Sequence, residues 1–194
     1  MGLPYQPTAD AIISAFECLV ANGSSVYLAV PITSGKRLWE LHRNGRDERT
    51  DSRFERLYRS QVLARNLEDA ARAISIVRSR YPFALDPSRL QVTGWGQPEY
   101  RRLWKRIIQS KVKKVILAPG WQYSRGCVEE CVLAYQSKID VCDLRDDKVH
   151  LEQASKLIRC ALEESRGYKV RVDFLRVAFR KLSNLATPQE NLSR

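Results

Sequence analysis

Histidine is scarce in this chain. His42 and His150 are the only two among 194 residues, and they stand 108 positions apart. No local pattern around either suggests a zinc site or a Ser-His-Asp triad. The five cysteines (Cys18, Cys127, Cys131, Cys142, Cys160) offer one C-x-x-x-C pair and no metal-ligand spacing. They read as buried free thiols, and no metal or cofactor is expected. No apolar run approaches the roughly 18 residues that a membrane span needs. The first residues lack the basic-then-apolar pattern of a secretory signal, so a cytoplasmic protein with no membrane partner is expected. Internal repeats and low-complexity tracts are absent too.

Positive charge is abundant. Lysine and arginine outnumber aspartate and glutamate by 33 to 22, a formal net charge of +11. That balance favours an anionic partner, whether nucleotide phosphate or nucleic acid, although a solvated basic surface needs no partner at all.

From the amino terminus, Pro7-Thr8-Ala9-Asp10 begins a helical pattern (Ile12, Ile13, Phe16, Leu19, Val20) that Asn22-Gly23 stops. Val26 to Val30 reads as a buried strand. It runs into Pro31-Ile32-Thr33-Ser34-Gly35-Lys36-Arg37, where backbone freedom, hydroxyls and two cations occur together as in phosphate cradles, though without the full P-loop spacing. A polar loop over 42–51 precedes a long helix over about 52–80, whose stripe (Phe54, Leu57, Tyr58, Leu63, Leu67, Ala70, Ile74, Val77) is imperfect around Val62. Phe83-Ala84-Leu85 and Leu90-Gln91-Val92 are weak strand candidates. Thr93-Gly94-Trp95-Gly96-Gln97 forms a loop before a helix with Pro98 at its first position and Tyr100, Leu103, Trp104, Ile107 and Ile108 on its apolar face.

The chain is organised around residues 113–143. Val115 to Ala118 reads as a buried strand, broken by Pro119-Gly120. After Trp121-Gln122-Tyr123, Ser124 is the expected N-cap of a helix with Val128, Cys131, Val132 and Tyr135 facing a core. Ile139 to Cys142 is the next strand. Strand, loop, helix and strand make a βαβ crossover between parallel neighbours, with residues 119–126 at the strand carboxyl ends where ligands gather. Two amphipathic helices follow, and the polar tail after Leu185 is expected to fray. The alternation argues an α/β sandwich with a parallel sheet.

Two stretches carry a family resemblance. Val26-Tyr27-Leu28-Ala29-Val30-Pro31-Ile32-Thr33-Ser34-Gly35 resembles the opening strand and loop of the nucleoside 2-deoxyribosyltransferase superfamily. Pro119-Gly120-Trp121, Ser124-Arg125-Gly126 and Glu130-Cys131-Val132-Leu133-Ala134 are similar to its active-site segment, with Glu130 at the position of the catalytic glutamate. The sequence departs from the family at Lys113-Lys114, near which an acidic residue is common, and at Val30, where glycine is more frequent. The resemblance implies a Rossmann-like (flavodoxin-like) three-layer sandwich over residues 1–147. Residues 148–194 would be a C-terminal helical extension on the same domain or a second subunit, and the resemblance also implies a homodimer or higher homo-oligomer.

The implied chemistry is cleavage of an N-glycosidic bond in a nucleoside or nucleotide, by hydrolysis or glycosyl transfer. A carboxylate at Glu130 would stabilise or attack the electron-poor anomeric carbon. Its place near a helix N-terminus favours the ionised form, whereas Glu129 points elsewhere. Substrate and phosphate contacts fall to Pro31, Thr33, Ser34, Gly35, Arg37, Gly120, Trp121, Ser124, Arg125 and Gly126, with Trp95 or Trp121 stacking on the base. The alternative is a non-catalytic nucleotide sensor, or a basic nucleic-acid-binding module using Arg101, Arg102, Lys105, Arg106, Lys111, Lys113 and Lys114. No base-reading motif accompanies those cations.

Overall fold

The computed structural model describes residues 9–19, 25–43, 52–168 and 170–186. Of the expected helix start Pro7-Thr8-Ala9-Asp10, Ala9 and Asp10 open a helix over Ala9–Leu19, and of the loop expected over 42–51, His42 and Arg43 instead end a helix; the remainder of both, the stop at Asn22-Gly23 and the tail beyond Ala186 lie outside the described residues. The chain is a mixed α/β protein, mostly helical, with a small open sheet of three parallel strands in the order β1-β2-β3. β1 is Ser25–Ala29, β2 Val112–Leu117 and β3 Asp140–Asp143. Tyr27 is opposite Val115 and Ala29 opposite Leu117, while Leu117 is in turn opposite Asp143. The expected βαβ crossover is formed, and both apolar runs after Lys113 belong to one sheet. Beyond β1, Leu85 makes an isolated parallel bridge to Tyr27, with Leu85 N–H donating to Val26 and Leu28 N–H to Leu85. The candidate strand at residues 83–85 is thus a single bridging residue.

Alternation along the strands sends side chains to two clusters. Tyr27, Ala29, Val115, Leu117 and Val141 join α5 (Gln97–Lys111), α6 (Arg125–Gln136), α7 (Leu151–Glu164) and α8 (Asp173–Ala186). Val26, Leu28, Val30, Ile116 and Ala118 join Ala70, Ala73, Ile74 and Val77 of α4 (Ala64–Arg80). Period-two alternation explains why both sets are apolar: each face of the sheet is covered. The last of the two expected amphipathic helices is α8, whose Leu175, Ala178 and Leu182 lie in the same cluster as Val115 and Leu117 of β2.

Three shorter helical elements shape the carboxyl ends of the strands. They are α2 (Lys36–Arg43), α3 (Ser52–Leu57) and a π-helical turn at Tyr58–Leu63 that joins α3 to α4. The π turn explains the imperfect stripe around Val62. Its wider turn breaks the 3.6-residue register between α3 and α4: Val62 and Asn66 fall in line with Ala70 and Ile74 and are buried, while Phe54, Leu57 and Tyr58 before the break, and Leu63 and Leu67 beside the stripe, are only half-buried. At α5, Gly96 is the N-cap and its N–H donates to the Glu99 carboxylate at 2.9 Å, which satisfies one orphan helix-end donor.

Candidate functional site

The loops after β1 and β2 meet. Ser34 Oγ and Ser124 Oγ are 3.0 Å apart, although 90 residues separate them in sequence. Ser124 is the N-cap of α6, as expected, but its side chain makes no capping bond. A capping hydroxyl typically contributes about 1 kcal/mol to a helix, and here the hydroxyl faces the neighbouring loop instead. Gly120 takes a left-handed φ of 77°, which lets the chain turn from β2 toward α6. Gly35 has φ 114°, and a Cβ there would stand 3.2 Å from Pro31 Cβ.

Glu130 stands in the second turn of α6. Its Oε1 accepts a 2.7 Å hydrogen bond from Tyr27 Oη on β1. Tyr27 is fully buried, and its ring lies 5.5 Å from that of Trp104. Burial, and after it the Glu130 charge, pushes the Tyr27 phenol well up, so it remains a donor. The Glu130 carboxyl is itself pushed up to about 8, chiefly by desolvation. The Tyr27 hydrogen bond opposes that rise and the neighbouring Glu129 charge adds to it. The helix N-terminus was expected to favour ionisation. Beyond the first turn that influence falls away, and desolvation outweighs it. Part of the Glu130 side chain remains accessible. Burial, with Glu130 adding, likewise raises the Cys127 and Cys131 thiols, which therefore stay protonated.

A second buried carboxylate escaped the sequence reading. Asp86 follows the bridging residue Leu85, and its Oδ1 accepts from Ser88 N–H at 2.9 Å and Ser88 Oγ at 2.6 Å. Its Oδ2 is buried and hydrogen-bonds to no described residue, with Arg89 Nε 3.7 Å away. Asp86 is close enough for its charge to raise the Tyr27 phenol. Asp86 lies between the two weak strand candidates of the sequence, and only the pairing of Leu85 with Tyr27 brings this carboxylate beside β1.

The other expected contacts are distributed unevenly. Thr33 lies in the loop, its carbonyl accepting from Tyr58 Oη at 3.1 Å and its Oγ1 from Gln97 Nε2 at 3.5 Å. Arg37 turns to α4, donating to Asn66 Oδ1 at 2.8 Å and Asp69 Oδ2 at 2.6 Å. Arg125 is exposed and donates to Glu129 at 2.8 Å. Lys36 donates to Glu164 Oε2 at 3.1 Å, and that carboxylate also accepts from Tyr123 Oη. Trp121 is 5% exposed within the core, and Trp95 packs edge-on against Tyr100 with ring centres 5.2 Å apart. The two loop hydroxyls therefore meet at the strand ends and Glu130 bonds to Tyr27 of β1, while the predicted cations are paired with other side chains.

Gly126, in the first turn of α6, has nothing within 4 Å of where a Cβ would sit. Gly126→Ala should therefore stabilise the free protein by about 0.5–1 kcal/mol, as alanine replaces glycine in a helix. If the open space receives a ligand, the same variant binds that ligand more weakly. Melting with and without ligand separates the two effects.

Comparison of the chain with protein-family models, curated proteins and solved structures finds no match in any of the three. Among the described residues no group of three or more His, Cys, Asp or Glu is arranged to hold a metal ion. No described helix is long and apolar enough to cross a membrane.

The basic surface proposed for nucleic acid is largely paired. Arg101 lies 3.8 Å from Glu129, Arg102 2.9 Å from Asp10 and Arg106 2.8 Å from Glu17. Lys114 bonds to Asp146 and Tyr81 at 2.9 and 2.7 Å. Lys105 and Lys113 are exposed. Each internal pair must be given up before its cation can neutralise a phosphate, which weakens the counterion-release drive for duplex binding.

Proposed function

We propose that the chain cleaves or transfers at the N-glycosidic bond of a nucleoside or nucleoside monophosphate, through Glu130. One observation carries this reading: a desolvated glutamate, held at 2.7 Å by a buried tyrosine hydroxyl, on the helix whose N-cap serine meets the first loop. A carboxylate fixed on the helix that Ser124 begins suits a sugar whose anomeric carbon becomes electron-poor as the bond breaks. Desolvation strengthens that electrostatic stabilisation in the transition state.

In this reading Glu130, once ionised, attacks the anomeric carbon as the bond to the base breaks, and water or a second base then resolves the glycosyl-enzyme. Ser34, Ser124 and the open backbone at Gly126 hold the sugar hydroxyls or the 5′-phosphate. The finer fold that accompanies this reading is the flavodoxin-like three-layer sandwich of the nucleoside 2-deoxyribosyltransferase superfamily, assembled as a homo-oligomer.

The test is thermal melting with a panel of nucleosides and their monophosphates. A ligand of the site raises the melting temperature by mass action. Ser34→Ala and Ser124→Ala should each remove most of that rise while the free proteins still fold. A rise that survives both substitutions would put the ligand elsewhere and remove the support for this site.

A further inference from the structure

The residue that organises the first loop comes from α4. Asn66 is 3% exposed and stands in a stripe otherwise made of Val62, Ala70, Ala73, Ile74 and Val77. A carboxamide in such a place costs stability unless its hydrogen bonds are made. Both N–H donors and the oxygen are engaged, and none serves α4 itself. Nδ2 donates to Ile32 O and to Ser34 O, both at 2.9 Å, and Oδ1 accepts from Arg37 Nη1 at 2.8 Å. The amide orientation is fixed by these partners. Reversed, its oxygen would face two carbonyls and its NH2 a guanidinium, which has only donors.

Residues 30–35 form neither helix nor strand, and Gly35 gives this loop a left-handed turn. No described backbone N–H serves the Ile32 or Ser34 carbonyl. We infer that Asn66 is a positioning residue: it clamps both carbonyls and so holds the Ser34 hydroxyl against Ser124. Two neighbouring contacts do not replace it. Tyr58 reaches only the Thr33 carbonyl, and the ion pair of Arg37 with Asp69 ties α2, not the loop, to α4. Asp69 also keeps Arg72 as a partner. The clamp rests on the proposed function only for what the loop holds.

Asn66→Asp keeps the size and the Arg37 contact but turns an acceptor toward both carbonyls. Asn66→Ala removes the donors without adding charge and serves if the aspartate variant fails to fold. Amide hydrogen exchange at Leu38 and Trp39, whose N–H groups donate to the Gly35 carbonyl at the end of the loop, should rise about tenfold or more in either variant, with β2 exchanging as in the parent. Asp69→Asn should leave that exchange near the parent rate. Exchange there that stays at the parent rate, or rises only as much as that of β2, overturns the clamp. On nucleosides and monophosphates from the panel, the clamp variants should raise KM with kcat within a few-fold of the parent. A loosened loop with an unchanged KM overturns the positioning role. A loosened loop with no base released by the parent supports the clamp and counts against the glycosidase reading.

Discussion

Glu130→Gln should leave the fold in place and cut the release of free base by about a thousandfold or more. Glutamine keeps the volume and an oxygen that accepts from Tyr27 Oη, so the 2.7 Å contact has a substitute partner. What it removes is the negative charge, which the proposed reaction would need as the anomeric carbon becomes electron-poor. Ligand-dependent melting should therefore remain while turnover is lost. Glu129→Gln is the matched control. That carboxylate pairs with Arg125 on the exposed side of α6, so the substitution should change turnover little. Equal losses in the two variants would point to a general disturbance of α6.

Turnover should also rise with pH through about 8. Below that value burial keeps the Glu130 carboxyl protonated, whereas glutamate ordinarily titrates at 4.5. A reaction that needs the carboxylate then gains about tenfold per pH unit below 8 and levels off above it. Tyr27→Phe removes the hydrogen bond that opposes the rise, so its profile should move to higher pH. A profile that falls above pH 8 would instead assign Glu130 the work of an acid.

The same titration bears on stability. Between pH 4.5 and about 8 the folded protein holds a proton at Glu130 that the unfolded chain has lost. Stability contributed by the neutral form is thus full below 4.5 and declines as pH rises toward 8. Glu130→Gln should remove that decline and melt at or above the parent temperature near pH 8.

The sheet was legible because its signals are local. Val26 to Val30 and Val115 to Ala118 are uninterrupted apolar runs, and Pro119-Gly120 marks the turn between β2 and α6. The meeting of Ser34 with Ser124 was legible at the level of loops, since parallel neighbours bring successive carboxyl ends together. The partners of the cations were not. Arg37 finds Asn66 and Asp69 across about thirty residues, and Asn66 looks in sequence like an ordinary polar position on a helix. Asn66 stands one turn before Ala70 in the buried stripe of α4, so the helical period turns it inward, but nothing in the sequence names the loop carbonyls that its amide meets. Asp86 depends on a single bridge between Leu85 and Tyr27. The elevated titration of Glu130 depends on desolvation, which the helix position alone does not reveal.

The most direct measurement is the appearance of free base when the protein is incubated near pH 8 with nucleosides and nucleoside monophosphates. One class of substrate should release its base, with or without a second base as acceptor, and Glu130→Gln should release almost none. No base from any member of the panel, or equal release by the parent and Glu130→Gln, would contradict the assignment of Glu130.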